Sequence, residues 1–133
     1  MRAVLAAGAL LALAAGACAG DIDAVRGEQV YARCMACHAL AFDRVGPRHC
    51  GLLGRLAGSV PGFAYSPAMK NSGITWNDKT LDRFLAKPLA VVPGTAMTYD
   101  GVPDPGDRAD LIAYLKLAGT TPACTATTIQ PKK

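Results

Sequence analysis

Cys34, Cys37 and His38 stand in the spacing Cys-x-x-Cys-His, with Met35 and Ala36 between the two thiols. Held on one helical turn, two such thiols can each form a thioether with a vinyl group of haem, and the imidazole that follows then reaches the iron from the same side. Two other chemistries use part of this set. A redox dithiol needs a βαβ setting and has no use for His38. A zinc site needs four nitrogen or sulfur ligands, and the other Cys and His residues are poorly spaced to supply a second pair. The pentapeptide therefore predicts one covalently attached haem c.

The elements that must carry this group read as helices joined by long loops. A helix is expected from about Ile22 to Ala36, with Asp21 or Asp23 as its cap and Val25, Val30 and Tyr31 as apolar positions, so that the pentapeptide lies at its end. Gly27 inside that helix costs about 1 kcal/mol relative to Ala. It reads equally as a tolerated glycine or as the point of a close helix crossing. Phe42 to Ser66 is rich in Gly and Pro without a sustained period, which predicts a long ordered loop, and wrapping a haem edge would account for its length.

Pro67 to Asn71 reads as a short helix ended by Gly73. Asn77 or Asp78 caps the next, which runs to about Ala86 with Leu81, Phe84 and Leu85 on one face and Pro88 as its stop. Leu89 to Asp104 reads as irregular. Asp104-Pro105 opens a last helix through about Leu117, closed by Gly119, with Leu111, Ile112, Leu115 and Ala118 as its buried stripe. No strand and no internal repeat is legible, and the expected class is all-α.

Residues 1–19 have the make-up of a secretory signal peptide: a basic Arg2, an apolar run from Ala3 to Ala15, then small residues. The run is too short to span a bilayer comfortably and no stop-transfer pattern follows. Ala17-Cys18-Ala19 fits cleavage before Gly20. Lipidation of Cys18 is the alternative, disfavoured because Ala15 stands where a bulky aliphatic residue is wanted. Removal of the segment leaves 114 residues, 20–133, as one small domain with a core at about 24–118 and a tail at 119–133. A chain of this size buries a limited core by itself, and the haem would be its centre.

The full chain carries 14 Lys and Arg against 10 Asp and Glu, of which only Arg2 lies in the signal segment. The formal +3 that remains is no nucleic-acid footprint, and it implies contact with membranes only through partners. Once Cys34 and Cys37 are committed to haem, Cys50 and Cys124 are left, and in an oxidising exported compartment such a pair is expected to be bridged. That bridge would close a loop worth about 4 kcal/mol in the chain-entropy model.

With these segments in view the chain resembles the class I cytochromes c, close to the mitochondrial cytochrome c and bacterial cytochrome c2 group. The likeness runs from about Gly27 to Ala118. It is carried by Gly27 to Tyr31, Cys34 to His38, Gly46-Pro47, Gly51 to Arg55, Pro61 to Tyr65, Gly73 to Trp76, Pro93 to Met97 and Arg108 to Leu115. It implies the cytochrome c fold, several helices and long loops around one haem with the first and last helices crossing. It also implies His38 and Met97 as axial iron ligands on opposite haem faces.

The remaining residues agree with this ligand set. Beyond the signal segment the methionines are Met35, committed to the attachment turn, Met69 and Met97. His49 lies only eleven residues after His38, in the proximal loop. The resemblance further implies that Pro47 offers its carbonyl to the second nitrogen of His38, and that Arg55, Tyr65 and Trp76 approach the haem propionates. Three departures accompany it. Phe84 stands where the family often has a tyrosine near the methionine sulfur, and Met69 replaces an inner asparagine, both of which favour a drier interior. Lysines that ring the haem edge in mitochondrial proteins are replaced at Leu89, Ala90 and Ala96, leaving a weakly charged or apolar contact surface.

The function so implied is that of an exported, periplasmic, monomeric one-electron carrier cycling Fe(III)/Fe(II) and not an enzyme. Its partners would be a redox protein donor and acceptor, such as an oxidoreductase complex, an oxidase or a reaction centre.

Overall fold

The computed structural model describes residues 21–126. The expected signal segment, the alternative fate of Cys18 and the end of the tail lie outside the described residues.

Helix α1 (Ala24–Tyr31) begins at Asp23, whose carboxylate accepts hydrogen bonds from the Val25 and Arg26 N–H groups. It is shorter than the expected Ile22 to Ala36. After Tyr31 the chain tightens into a 3-10 turn over Ala32–Cys34, and then both Cys37 N–H (3.1 Å) and His38 N–H (2.9 Å) donate to the carbonyl of Cys34. Two donors on one carbonyl close the turn, a shared bond of the kind common at helix ends.

The partner of α1 is the long helix α5 (Pro105–Ala118), opened by Asp104 as cap and Pro105 in its first turn. The two cross at Gly27. A Cβ built there would lie 2.0 Å from the Asp110 carbonyl oxygen and 2.8 Å from the Tyr114 Cβ, so the crossing requires a residue without a side chain. This decides between the two readings of that glycine. Asp110, buried at the same crossing, accepts from the Asp23 N–H at 2.6 Å and from Arg26 Nε at 2.8 Å. The start of the first helix is thereby tied to the middle of the last.

Between them lie α2 (Pro67–Lys70), capped by Ser66, and α3 (Asp78–Ala86), where Asn77 and Thr80 form a reciprocal capping box. Two short helices depart from the expectation. Pro88 does not merely stop α3 but opens α4 (Pro88–Val91), within the stretch expected to be irregular, and Pro122 opens α6 (Pro122–Thr125) past Gly119. The cause is the same at both: proline at a first helical position lacks an N–H that would have had no partner there. Among the described residues the only β pairing is an isolated bridge between Leu56 and Thr75.

The apolar faces converge on one cluster. Leu81, Phe84 and Leu85 of α3 meet Leu111, Ile112 and Leu115 of α5, with Val30 and Tyr31 of α1 closing one side. Cys50, in the loop after the attachment turn, lies beside Cys124 of α6, with the two Cα atoms 5.1 Å apart. Among the described residues no helix is long and apolar enough to cross a membrane.

Candidate haem-binding site

Inside the helical frame is a cavity of about 430 Å³, within the range of pockets that enclose a cofactor. Cys34, Cys37 and His38 border it together, delivered by the turn at the end of α1. His38 is half-buried, and its Nδ1 lies 2.8 Å from the Pro47 carbonyl oxygen, to which it donates its proton. That leaves Nε2 with a free lone pair. Desolvation lowers the pKa of His38, opposed by the Pro47 hydrogen bond, so the ring is neutral at pH 7 as a metal ligand must be.

The space beside the ring is equally specific. A Cβ on Gly46 would stand 2.2 Å from His38 Cε1, and the Gly46 N–H donates to the Cys37 carbonyl at 2.8 Å. The glycine brings loop backbone against the imidazole where any side chain would displace it.

Met97 borders the same cavity from the loop after α4. Gly94 makes the turn at φ +88°, and the Met97 N–H donates to Thr95 Oγ1 at 3.2 Å, which sets the direction of the segment. Met69, buried, lines the cavity too, as does Phe84, whose ring packs on Trp76 with centroids 5.0 Å apart. Two of the positions at which this chain departs from the pattern it resembles thus face one space, and both are apolar.

Arg55, Tyr65 and Trp76 also border the cavity. Trp76 is held by paired backbone hydrogen bonds, Gly54 N–H to its carbonyl and its own N–H to the Arg55 carbonyl. The Tyr65 hydroxyl accepts from the Val60 N–H at 3.4 Å, and desolvation pushes its pKa up. Arg55 has partners that its sequence position did not announce. Its guanidinium donates to the carbonyls of Arg48 and Cys50, each at 3.0 Å, and so brackets His49 from both sides.

His49 itself lines the cavity, although by sequence position it entered only as a poor alternative ligand. Its ring stacks on that of His38, with centroids 4.3 Å apart and planes 22° from parallel, and Tyr31 Oη lies 3.1 Å from its Nδ1. Desolvation, with the neighbouring His38 and Arg55 adding to it, pushes His49 down to about 3. Gly46, Tyr31 and His49 complete the surroundings of His38. Tyr31 carried a signal in the sequence as an apolar helix position and Gly46 through the family resemblance, whereas nothing in the sequence marked His49 as a neighbour of the His38 ring. Cys50 and Cys124 do not line the cavity.

Two thiols, an imidazole with a free Nε2 and a fixed Nδ1, a thioether and a largely apolar enclosure are the donor set and setting of a c-type haem. Comparison with known proteins agrees. Residues 24–118 match the family model Cytochrome c. The chain belongs to the cytochrome c family. It is 51% identical over 111 residues to a cytochrome c2 of Rhodomicrobium vannielii, a match that covers 81% of this chain and 88% of that one. It is also 51% identical over 96 residues to a cytochrome c of Tetrahymena pyriformis, covering 71% and 87%. Among solved structures it superposes on cytochrome cH from Methylobacterium extorquens with a TM-score of 0.70 at 45% identity, over 71% of this chain and 98% of the other.

As a cytochrome c the protein has the all-α fold of that family, binds one haem c covalently, and is an electron carrier and not an enzyme.

Proposed function

We propose that this cytochrome c is an exported periplasmic carrier in which Cys34 and Cys37 hold the haem by thioethers and His38 and Met97 are the two axial ligands of its iron. When bound, the haem supplies a site that gains or loses one electron. The observation that carries the ligand assignment is the enclosure of the His38 imidazole and the Met97 side chain in one cavity, with His38 Nδ1 already committed to Pro47.

The chain's own residues then act in three ways. Pro47 and Gly46 hold the His38 ring in one orientation. The Gly94 to Met97 loop presents a soft thioether, and together with Met69 and Phe84 it favours the less charged ferrous state, which raises the reduction potential. Arg55, Tyr65 and Trp76 stand where they would receive the propionates, and Arg55 retains N–H groups beyond the two it gives to backbone carbonyls.

Under the same proposal residues 1–19 are removed on export and the mature chain, 20–133, works as a monomer between a redox protein donor and acceptor, such as an oxidoreductase complex, an oxidase or a reaction centre. The exposed Leu89, Ala90 and Ala96 give it a contact face of low charge. A disulfide between Cys50 and Cys124 belongs to this reading, and their Cα separation of 5.1 Å is within bridging range.

The test is the absorption spectrum of the purified protein, ferric and ferrous, with carbon monoxide then added to the ferrous form. Closed His/Met ligation gives a far-red methionine–iron band in the ferric protein and no response to carbon monoxide. Prompt carbon monoxide binding without that band would overturn Met97 as a ligand.

A further inference from the structure

His49 is not a ligand in the proposed site, yet four separate features of the fold converge on it. Its ring lies over the His38 ring at 4.3 Å between centroids and 22° between planes. Its Nδ1 is 3.1 Å from Tyr31 Oη, and Tyr31 is buried against Tyr114 of α5, with centroids 5.1 Å apart. The backbone on either side is pinned by Arg55, which donates to the carbonyls of Arg48 and Cys50. The loop is also laid against the attachment segment by His49 N–H to the Ala39 carbonyl at 3.1 Å and Cys50 N–H to the Leu40 carbonyl at 2.7 Å.

A histidine used only as filler would not need its ring plane, its acceptor nitrogen and both flanking carbonyls fixed. We infer that His49 and Tyr31 form a coupled positioning pair for the proximal side of the site, in which the Tyr31 hydroxyl donates to His49 Nδ1 and thereby holds the His49 ring flat against the His38 imidazole. This rests on the reading of His38 as an axial ligand.

The physical consequence concerns charge. When the iron is ferric, the His38 ring bears more positive charge than when it is ferrous. The electron-rich face of a stacked aromatic ring attracts positive charge. His49 therefore favours the ferric state, against the trend set by Met97 and the apolar wall, and acts as a local brake on the potential. The Tyr31 hydrogen bond matters because it fixes the angle at which that face is presented.

The experiment uses the full-length holoprotein and four variants: H49L, H49F, Y31F and the double variant Y31F/H49L. The readouts are the midpoint potential and the paramagnetically shifted proton resonances of the His38 ring in the ferric state, with thermal stability recorded alongside. H49L is expected to raise the midpoint potential and move the His38 resonances. H49F, which restores a flat ring without the acceptor nitrogen, should recover part of the potential. Y31F should shift both readouts in the native background and have no further effect once H49L is present.

Independent, additive effects of Y31F and H49L would overturn the coupled pair, as would variants that lower stability but leave potential and resonances unchanged. Should H49L fail to accumulate, Y31F, H49F and their double variant carry the same additivity comparison. Loss of the far-red band in the unaltered protein would instead refute the ligand assignment, and so the two failures are distinguishable.

Discussion

The imidazole of His38 is constrained from three directions. Pro47 takes its Nδ1 proton, Gly46 leaves room along its Cε1 edge, and His49 covers a face. Gly46→Ala introduces a methyl whose carbon would begin 2.2 Å from His38 Cε1, so either the ring or the loop must move. The expected loss is about 1–3 kcal/mol, the usual cost of overpacking, with weakening of the far-red band. Denaturant unfolding of the holoprotein, followed by its visible spectrum, measures both.

Part of this environment is legible in the sequence and part is not. Cys34, Cys37 and His38 announce themselves because their chemistry depends on local spacing. Gly46-Pro47 is legible through family likeness. The stacking of His49 and the two carbonyls that Arg55 binds are not, because they depend on which carbonyls and rings the fold brings within 3 to 4 Å, and neither spacing nor periodicity encodes that.

Among the elements, the pair α1 and α5 sets the frame, and its contact combines a steric and an electrostatic condition. Gly27 allows the approach, and Asp110 accepts hydrogen bonds from both the Asp23 backbone and Arg26. The hydrogen bond from the Arg26 side chain, followed by that from the Asp23 N–H, holds the Asp110 carboxyl below its usual pKa. A carboxylate with a depressed folded pKa adds stability above its unfolded pKa of about 3.9 and loses it as pH falls through the lower folded value. Asp110→Asn should therefore melt at a lower temperature than the native protein at pH 7, with the difference shrinking as the pH drops below about 4. Thermal melts of both holoproteins across that range check it. A gap independent of pH would exclude the carboxylate as the cause.

Helix starts are the best-encoded part of the fold. Asp23, Asn77 and Asp104 each cap a helix as their residue types predict, because a cap is a contact between near neighbours in the chain. The short helices α4 and α6 are poorly encoded for a related reason. Pro88 and Pro122 read as breaks from the upstream side and as beginnings from the downstream side, and four residues offer too little pattern to decide.

Over the whole molecule, the covalent links determine how much of the chain is free to unfold. Beyond the attachment turn, the proposed Cys50 to Cys124 bridge would span a sequence separation of 74 residues and enclose α2 through α5. Its loss in a Cys50→Ser, Cys124→Ser double variant is expected to cost up to about 4 kcal/mol, read from denaturant midpoints of the holoproteins. Intact mass after alkylation tests the bridge directly: the unreduced holoprotein should take up no alkyl group and the reduced one two. Two thiols modified without reduction would refute it.

The proposed bridge would also set a condition on biosynthesis. Four cysteines follow residue 20, namely Cys34, Cys37, Cys50 and Cys124, and four thiols can pair off in three ways. Joining Cys50 to Cys124 and nothing else keeps the attachment motif reduced. Each of the three complete pairings, the one that contains Cys50 to Cys124 included, consumes the thiols that haem attachment needs, while premature thioether formation does no harm to the distant pair. An oxidising compartment would thus trap the chain as a dead end if oxidation outran loading. If the chain is exported as proposed, it would gain from a reductant directed at the motif, and the 74-residue separation would make the Cys50 to Cys124 disulfide the slow one to close.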